Sequence, residues 1–323
     1  MAKTREILPA CFIPGSGCVF IAGPTAVGKS QIALALAEQL GGEIISVDSM
    51  QVYRGLDIGT AKPLPADRAR VSHHLIDICG LSEFFDAAQF IRLAQKAVAD
   101  IQSRARVPIF CGGTGLYFKA FLYGLGEGPP ANPGLRAELE ALPFEVLLRE
   151  LRQRDPAAYE KMDRQNPRRV IRALEVIRLT GKKFSEQRAA WQVRSSRCGD
   201  RTARRAVPTI FYLGRASQDL HARIDARVDK MFSWGLVEET RALLERGLEQ
   251  NQTAMQAIGY RQVVDHLRGE RSLADTIELV KIRTRQFAKR QLTWFRRQFI
   301  PEWMELKPGE SPEMSAQKIR KRV

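Results

Sequence analysis

Gly23-Pro24-Thr25-Ala26-Val27-Gly28-Lys29-Ser30 matches GxxxxGK[ST] in full, and both flanks suit it. The apolar run VFIAG precedes it and the helical pattern SQIALALAEQL follows. In that setting glycines let backbone N–H groups turn inward around phosphate oxygens, and the helix N-terminus adds positive potential. Lys29 reaches the outer phosphates, and the Ser30 hydroxyl suits Mg²⁺, the cofactor this loop implies. The motif predicts a bound diphosphate or triphosphate. It does not say which bond breaks.

A kinase or nucleotide hydrolase with such a loop also needs an acid after a strand. Asp77, at the end of HLIDI (74–78), is one candidate. Asp48 stands out instead, at the exit of EIISVDS (43–49), where Ser49, Gln51 and Tyr53 make the strand exit polar. In open α/β sheets that edge faces the ligand crevice. Asp48 reads either as a turn or cap residue or as a general base facing the substrate.

The elements that must hold these residues are legible as strands alternating with helices. VFIAG, EIISVDS, HLIDI, VPIFCGG (107–113) and TIFYLG (209–214) are short apolar runs between turn residues. DAAQFIRLAQKAVADIQSR before the fourth is helical by period. Such alternation predicts a doubly wound parallel α/β sheet of the P-loop NTPase-like kind. Roughly ninety residues between the fourth and fifth runs lack a strand. The linkers EGPPANPG and RSSRCGDRTARR bound this Arg- and Leu-rich stretch, so 125–205 is expected to be an inserted helical domain. Residues 1–124 and 206–323 would then form the catalytic core, helical almost to the end from Leu220 onward.

Composition narrows the partners. With 51 Lys and Arg against 36 Asp and Glu, the 323-residue chain carries +15. An apolar fraction of 44% suffices for a folded core. The excess charge points to an anionic partner, nucleic acid first. Five scattered cysteines without a CxxC pair argue against disulfides and zinc and fit a reducing cytoplasm. No apolar run is long enough for a membrane span. A monomer is expected. Adjacent His73 and His74 lack partners at ligand spacing and read as strand-entry residues.

Four further stretches place cations or glycines where a nucleic acid could meet them. Cys111-Gly112-Gly113-Thr114-Gly115 is a strand–helix turn whose threonine could cap the helix or face a substrate. Asn166-Pro167-Arg168-Arg169-Val170-Ile171-Arg172 opens a helix with at least two guanidiniums on one face, either solvated or set against phosphates. Gln256-Ala257-Ile258-Gly259-Tyr260-Arg261 suits an unstacked base or a helix start with a core tyrosine. Lys289-Arg290-Gln291-Leu292-Thr293-Trp294-Phe295-Arg296 is amphipathic, with Trp294 and Phe295 on the buried side and a basic outer face.

IAGPTAVGKS, DSMQVYRGLDIGTAKP, CGGTGLYFKAFLYGL, NPRRVIRALEV, IGYRQ and FAKRQLTWFR occur in one order and together resemble the tRNA dimethylallyltransferases. The resemblance spans residues 19 to 297. It implies transfer of a dimethylallyl group from dimethylallyl diphosphate to N6 of adenosine 37, giving N6-(dimethylallyl)adenosine and diphosphate. The tRNAs implied read codons beginning with U, and the partner is the anticodon stem-loop. It implies Asp48 as the base and Thr114 as a contact to the target nucleotide. Asp48, Ser49, Met50 and Gln51 become tRNA contacts, as do Arg136 and the 168–172, 256–261 and 289–296 stretches. The helical insertion becomes a tRNA-binding domain.

The chain departs from the family pattern in one place that bears on the diphosphate. An arginine leading into a Leu-Tyr pair is usual where this chain has Ser217-Gln218-Asp219-Leu220-His221; Arg215, Arg223 and Arg227 stand nearby. The alternatives are an adenylate dimethylallyltransferase and a P-loop kinase of a small metabolite. A free nucleotide needs neither the basic insertion nor the basic helix.

Overall fold

Val19–Ala22 (β1) is apolar at every position because it lies inside the sheet, between two parallel neighbours. The computed structural model describes residues 17–125, 128–187 and 209–323. After β1 come Lys29–Leu40 (α1), Glu43–Val47 (β2), Pro65–Arg70 (α2), His73–His74 (β3), Ala87–Ser103 (α3), Pro108–Gly112 (β4) and Gly115–Tyr123 (α4). The sheet continues with Ile210–Gly214 (β5) and Glu302–Glu305 (β6). Strand order is β3-β2-β4-β1-β5-β6, with every pairing parallel. This is an α/β sheet of the expected class. The connection from β1 runs to one side and that from β4 to the other, and the loops leaving β1, β2 and β4 open on one carboxyl edge.

Each face of the sheet has its own cover. On one, Ala33, Leu36 and Ala37 of α1 pack with Ala316 and Ile319 of the last helix, Pro312–Arg320. On the other lies an aromatic layer. Phe20 stacks on Phe110 at 4.7 Å, and Phe295 meets Phe118 at 5.7 Å and Tyr212 at 4.9 Å. Burial of such a ring contributes on the order of 1.5–3 kcal/mol.

Two expectations about the sheet need correction. HLIDI is not a strand: pairing with β2 ends at His74, because Leu75 and Asp77 adopt φ of 63° and 57°. Residues 77–79 instead donate to Gln51 and Val52 carbonyls, and Tyr53 bridges Cys79. The apolar run is divided between an edge strand and the loop after β2. The C-terminal region is not helical throughout either, since Glu302–Glu305 adds a sixth strand beside β5. Four residues, half of them charged, show too little alternation to be read as a strand. His73 and His74 lie within β3, and His74 Nε2 lies 2.7 Å from the buried Glu43 carboxylate.

The described residues to Leu122 and from Thr209 onward form one compact unit, and those from Tyr123 to Gln187 a second. The second is helical: Pro133–Glu140 (α5), Phe144–Arg154 (α6), Pro156–Lys161 (α7) and Pro167–Thr180 (α8). Asn132, Asp155 and Asn166 each precede a proline and cap the helix that follows. Leu139, Leu147, Leu151, Val170 and Leu174 form their common core. The basic linker 194–205, and Cys11 and Cys198, lie outside the described residues.

Within this unit Glu175 is wholly buried and accepts from Asn132 N (2.7 Å), Arg136 Nε (3.0 Å) and Arg172 Nη1 (2.6 Å). Burial pushes its carboxyl upward, but the bonds from Arg136, Arg172 and Asn132 outweigh that and hold it below the usual range. The stability this gives is full above the ordinary glutamate pKa and is lost as pH falls through the depressed folded value. Glu175→Gln is expected to cost about 2–3 kcal/mol at neutral pH. It should also flatten this part of the acid limb of a thermal-denaturation series. An unchanged midpoint and acid limb would contradict this.

Candidate active site

The loop leaving β1 is shaped by steric demands. A Cβ on Gly23 would sit 2.8 Å from the Leu213 carbonyl oxygen, and Gly28 has a φ of 108° that only glycine adopts without strain. Ala26 is held at φ 63°, an unusual cost for a residue with a side chain and one that concentrates at functional loops. Lys29 Nζ donates to the Pro24 carbonyl at 2.7 Å. Burial pushes Lys29 down to about 8, with Arg227 acting the same way and Cys111 and Asp48 opposing it. Ser30 stands exposed on the first turn of α1.

Three arginines close on this loop from the other half of the core. Arg215, just past β5, donates from Nε to the Val27 carbonyl at 2.9 Å. Ser217–Ser233 (α9) supplies Arg223, whose Nε donates to Ala26 O at 3.0 Å. One turn on, Arg227 reaches Thr25 Oγ1 at 3.3 Å. Arg223 is depressed by burial and by Arg215, and Arg227 by burial and by Arg223. Cations gathered where each disfavours the next make a site for a polyanion. Arg215 thus reaches the loop from two residues before Ser217, and its Nη1 also pairs with Asp219 at 2.9 Å. The sequence signal for the other two was the i, i+4 pair in ARIDAR on a helix directly after a strand.

Asp48 lies at the exit of β2. Its Oδ1 accepts from Met50 N (2.8 Å) and Gln51 N (3.3 Å), which fixes the carboxylate with Oδ2 outside that turn. The turn reading and the catalytic reading of Asp48 are therefore compatible. Thr114 Oγ1 accepts from Ser49 N at 3.2 Å, and Thr114 N donates to Val47 O at 3.2 Å. These bonds bring Thr114 beside Asp48. Ser49 and Met50 are half-exposed there. Gln291 ties the site together: Thr25 N donates to its Oε1 (2.9 Å), and its Nε2 donates to Gly113 O (3.0 Å).

Several residues assigned to RNA prove to be structural. Gln291 is buried as that clamp and is not displayed to a ligand. Gln51 donates to Thr60 O and Ala61 O and accepts from Ser46 Oγ, so its side chain organises the loop that follows. Tyr260 is fully buried, with its hydroxyl 2.6 Å from Glu239, which also accepts from Ile58 N. No base can stack on that ring. In the helical unit, Arg136 and Arg172 both pair with Glu175, while their side chains remain 41% and 32% exposed. Val170, Ile171, Ala257 and Phe295 are core residues, and Gly259 starts Tyr260–Leu267 (α11), which follows Leu236–Glu245 (α10). Asp77 is bound by Lys62 and Arg68, away from any acid role on the loop after β1.

The exposed remainder keeps the expected character. Arg169 is exposed and Arg168 half-exposed on the first turn of α8. Gln256 and Arg261 are exposed, and Ile258 is half-buried. On Leu273–Gln298 (α12), Lys289, Arg290, Thr293 and Arg296 face outward, while Leu292 and Trp294 are half-buried. A Cβ on Gly115 would fall 2.2 Å from the Trp294 ring, so this glycine lets α12 approach α4.

A GxxxxGK[ST] loop on a parallel α/β sheet, flanked by Lys29 and three arginines, with a fixed carboxylate after the next strand, defines a P-loop-like α/β protein. A family model described as IPPT, IPP transferase, matches residues 51–298, and the chain belongs to that family. It is 44% identical to tRNA dimethylallyltransferase 1 of Citrifermentans bemidjiense over 90% of this chain and 92% of that one. It is 47% identical to the tRNA dimethylallyltransferase of Halorhodospira halophila over 86% and 89%. Among solved structures, the tRNA isopentenylpyrophosphate transferase of Bacillus halodurans aligns over 95% of both chains with TM-score 0.68 and 38% identity. A eukaryotic dimethylallyltransferase solved acting on tRNA aligns over 94% of this chain and 78% of its own, with TM-score 0.72 and 28% identity.

Proposed function

We propose that this protein transfers a dimethylallyl group from dimethylallyl diphosphate to N6 of adenosine 37 in the anticodon stem-loop of tRNA. The observation that carries the reading is the ring of Lys29, Arg215, Arg223 and Arg227 on one loop, with Asp48 next to it. An allylic C–O bond ionises readily once its departing diphosphate is neutralised. The loop N–H groups and the four cations do that without attacking phosphorus. The adenine amine attacks the allylic carbon, the C–O bond breaks, and Asp48 accepts the amine proton. Thr114, fixed beside Asp48, positions the base.

No group of three or more His, Cys, Asp or Glu among the described residues could hold a metal by itself. The donor set fits Mg²⁺, which binds through one or two protein oxygens plus phosphate oxygens and waters. Ser30 would hold it, and when bound it adds positive charge to the leaving diphosphate.

The target base must leave its stack, at a cost of a few kcal/mol. Phosphate contacts from exposed cations such as Arg169, Lys289 and Arg290 supply compensating energy. Accordingly, tRNA affinity should fall steeply with salt while diphosphate affinity, which involves far fewer phosphates, changes much less. Equal salt slopes in paired titrations would contradict that division. The function itself is tested by incubating the protein with dimethylallyl diphosphate, Mg²⁺ and unmodified tRNA, then weighing nucleosides. An adenosine heavier by C5H8 is expected. Prenylation of free AMP alone, or ADP formed from ATP, would favour the alternative readings.

A further inference from the structure

Away from the phosphate loop, a groove of about 440 Å³ runs between α3 and the 74–85 segment. That volume lies within the range of small-ligand sites. Phe84 and Phe85, Leu93, Arg92 and Lys96 line it, with His74 at one end. Phe84 is 69% exposed, an unusual placement for a phenylalanine, whereas Phe85 is buried behind it. Arg92 and Lys96 stand one turn apart on α3 and are both exposed.

The groove is lined by two cations, Arg92 and Lys96, and two carboxylates, Glu83 and Asp100. Glu83 is engaged by Gly80 N at 2.5 Å, and Asp100 by Arg104 at 2.7 Å. Neither carboxylate pairs with Arg92 or Lys96, and no hydrogen bond or ion pair engages these two cations among the described residues. An open aromatic face beside two available cations is the combination that holds a single-stranded nucleotide: the ring takes the base, the cations take the phosphate.

The groove also adjoins the reaction site. Tyr53, five residues past Asp48, bridges Cys79 of the groove wall, and Arg54 Nη2 donates to Ile78 O at 3.4 Å. On the inner side, Phe85 and Phe90 contact Tyr117 of α4, at 6.0 and 4.5 Å, and α4 begins directly after Thr114. One aromatic layer separates the groove from the residues that face the target base.

We infer that this groove is a second RNA contact, which seats one unstacked nucleotide of the RNA substrate with its base on Phe84 and its phosphate between Arg92 and Lys96. The inference rests on the RNA reading above but not on prenyl transfer, so binding alone can test it. Full-length protein would be titrated with unmodified tRNA and, separately, with AMP, for the wild type, Phe84→Ala and Arg92→Glu/Lys96→Glu. All three side chains are exposed, and equal thermal midpoints would certify the fold. Each variant is expected to weaken tRNA binding about tenfold. The double variant should also lower the salt slope by about 1 or more, and both variants should leave the KM for dimethylallyl diphosphate unchanged. Folded variants with wild-type tRNA affinity and salt slope would overturn the inference. So would AMP binding that depends on Phe84 while tRNA affinity does not, since the groove would then serve a free nucleotide. If the wild type binds tRNA but forms no prenylated product, the proposed reaction fails while the groove remains testable by the same titrations.

Discussion

Asp48→Asn is expected to lower prenyl transfer by at least about a thousandfold while tRNA affinity stays within about threefold. General-base action alone accounts for about 10²–10⁴ in rate. The substitution keeps the oxygen that accepts from Met50 N and Gln51 N, so the turn survives. Only the proton acceptor is lost. Asp48→Ala removes the turn as well and should add a stability loss that Asp48→Asn lacks. Single-turnover transfer with both substrates saturating separates the two. A rate within tenfold of wild type for Asp48→Asn would remove the carboxylate from the chemistry, leaving it a turn residue.

Removing arginines from the diphosphate ring gives the second large effect, with an uncommon sign for stability. Arg223→Ala and Arg227→Ala should each lower kcat/KM for dimethylallyl diphosphate by about a hundredfold or more, as expected for loss of one donor to a developing anion. Yet in the unliganded protein each arginine is disfavoured by burial and by a neighbouring cation. Its removal should leave the unliganded melting temperature unchanged or raised, and the shift produced by added diphosphate should shrink. A variant that melts earlier and still shifts fully with diphosphate would show that the ring is packing. Lys29 adds a pH signature. Its value of about 8 in the unliganded protein means it is partly neutral above that pH, where it holds an anion less well. Diphosphate affinity should therefore decline as pH rises past 8.

The parts of this molecule that could be read from residue order are those fixed by local rules. The GxxxxGK[ST] loop between a strand and a helix is a backbone motif, and Asp48 is placed by the end of the strand before it. The Asn-Pro pair at 166 announces a helix start, and the same side-chain cap recurs at 132 and 155. What the sequence hid depends on distant partners. HLIDI is apolar enough for a strand, but the carbonyls of Gln51 and Val52 take its backbone donors. The four-residue β6 exists because β5 has a free edge to pair. Gln291 and Tyr260 look like recognition residues by type, and each is used inside by a group 21 to 266 residues away, Gly113 and Thr25 for the first and Glu239 for the second, whereas Arg136 pairs with Glu175 and stays 41% exposed. The family resemblance located these stretches, yet it could not tell an outward residue from an inward one in the same helix turn. Conversely, Arg215, Arg223 and Arg227 emerged as a group only once β5 and α9 were set against the loop after β1.

The claim on which the mechanism stands is that the glycine loop holds a leaving diphosphate whose C–O bond breaks. Dimethylallyl diphosphate labelled with ¹⁸O at the oxygen joining C1 to phosphorus tests it directly. After one turnover on unmodified tRNA, all of the label should be in the released diphosphate and none in the RNA or in a free alcohol. Label missing from the diphosphate would mean that a P–O bond had broken, and the loop would then be doing phosphoryl chemistry after all.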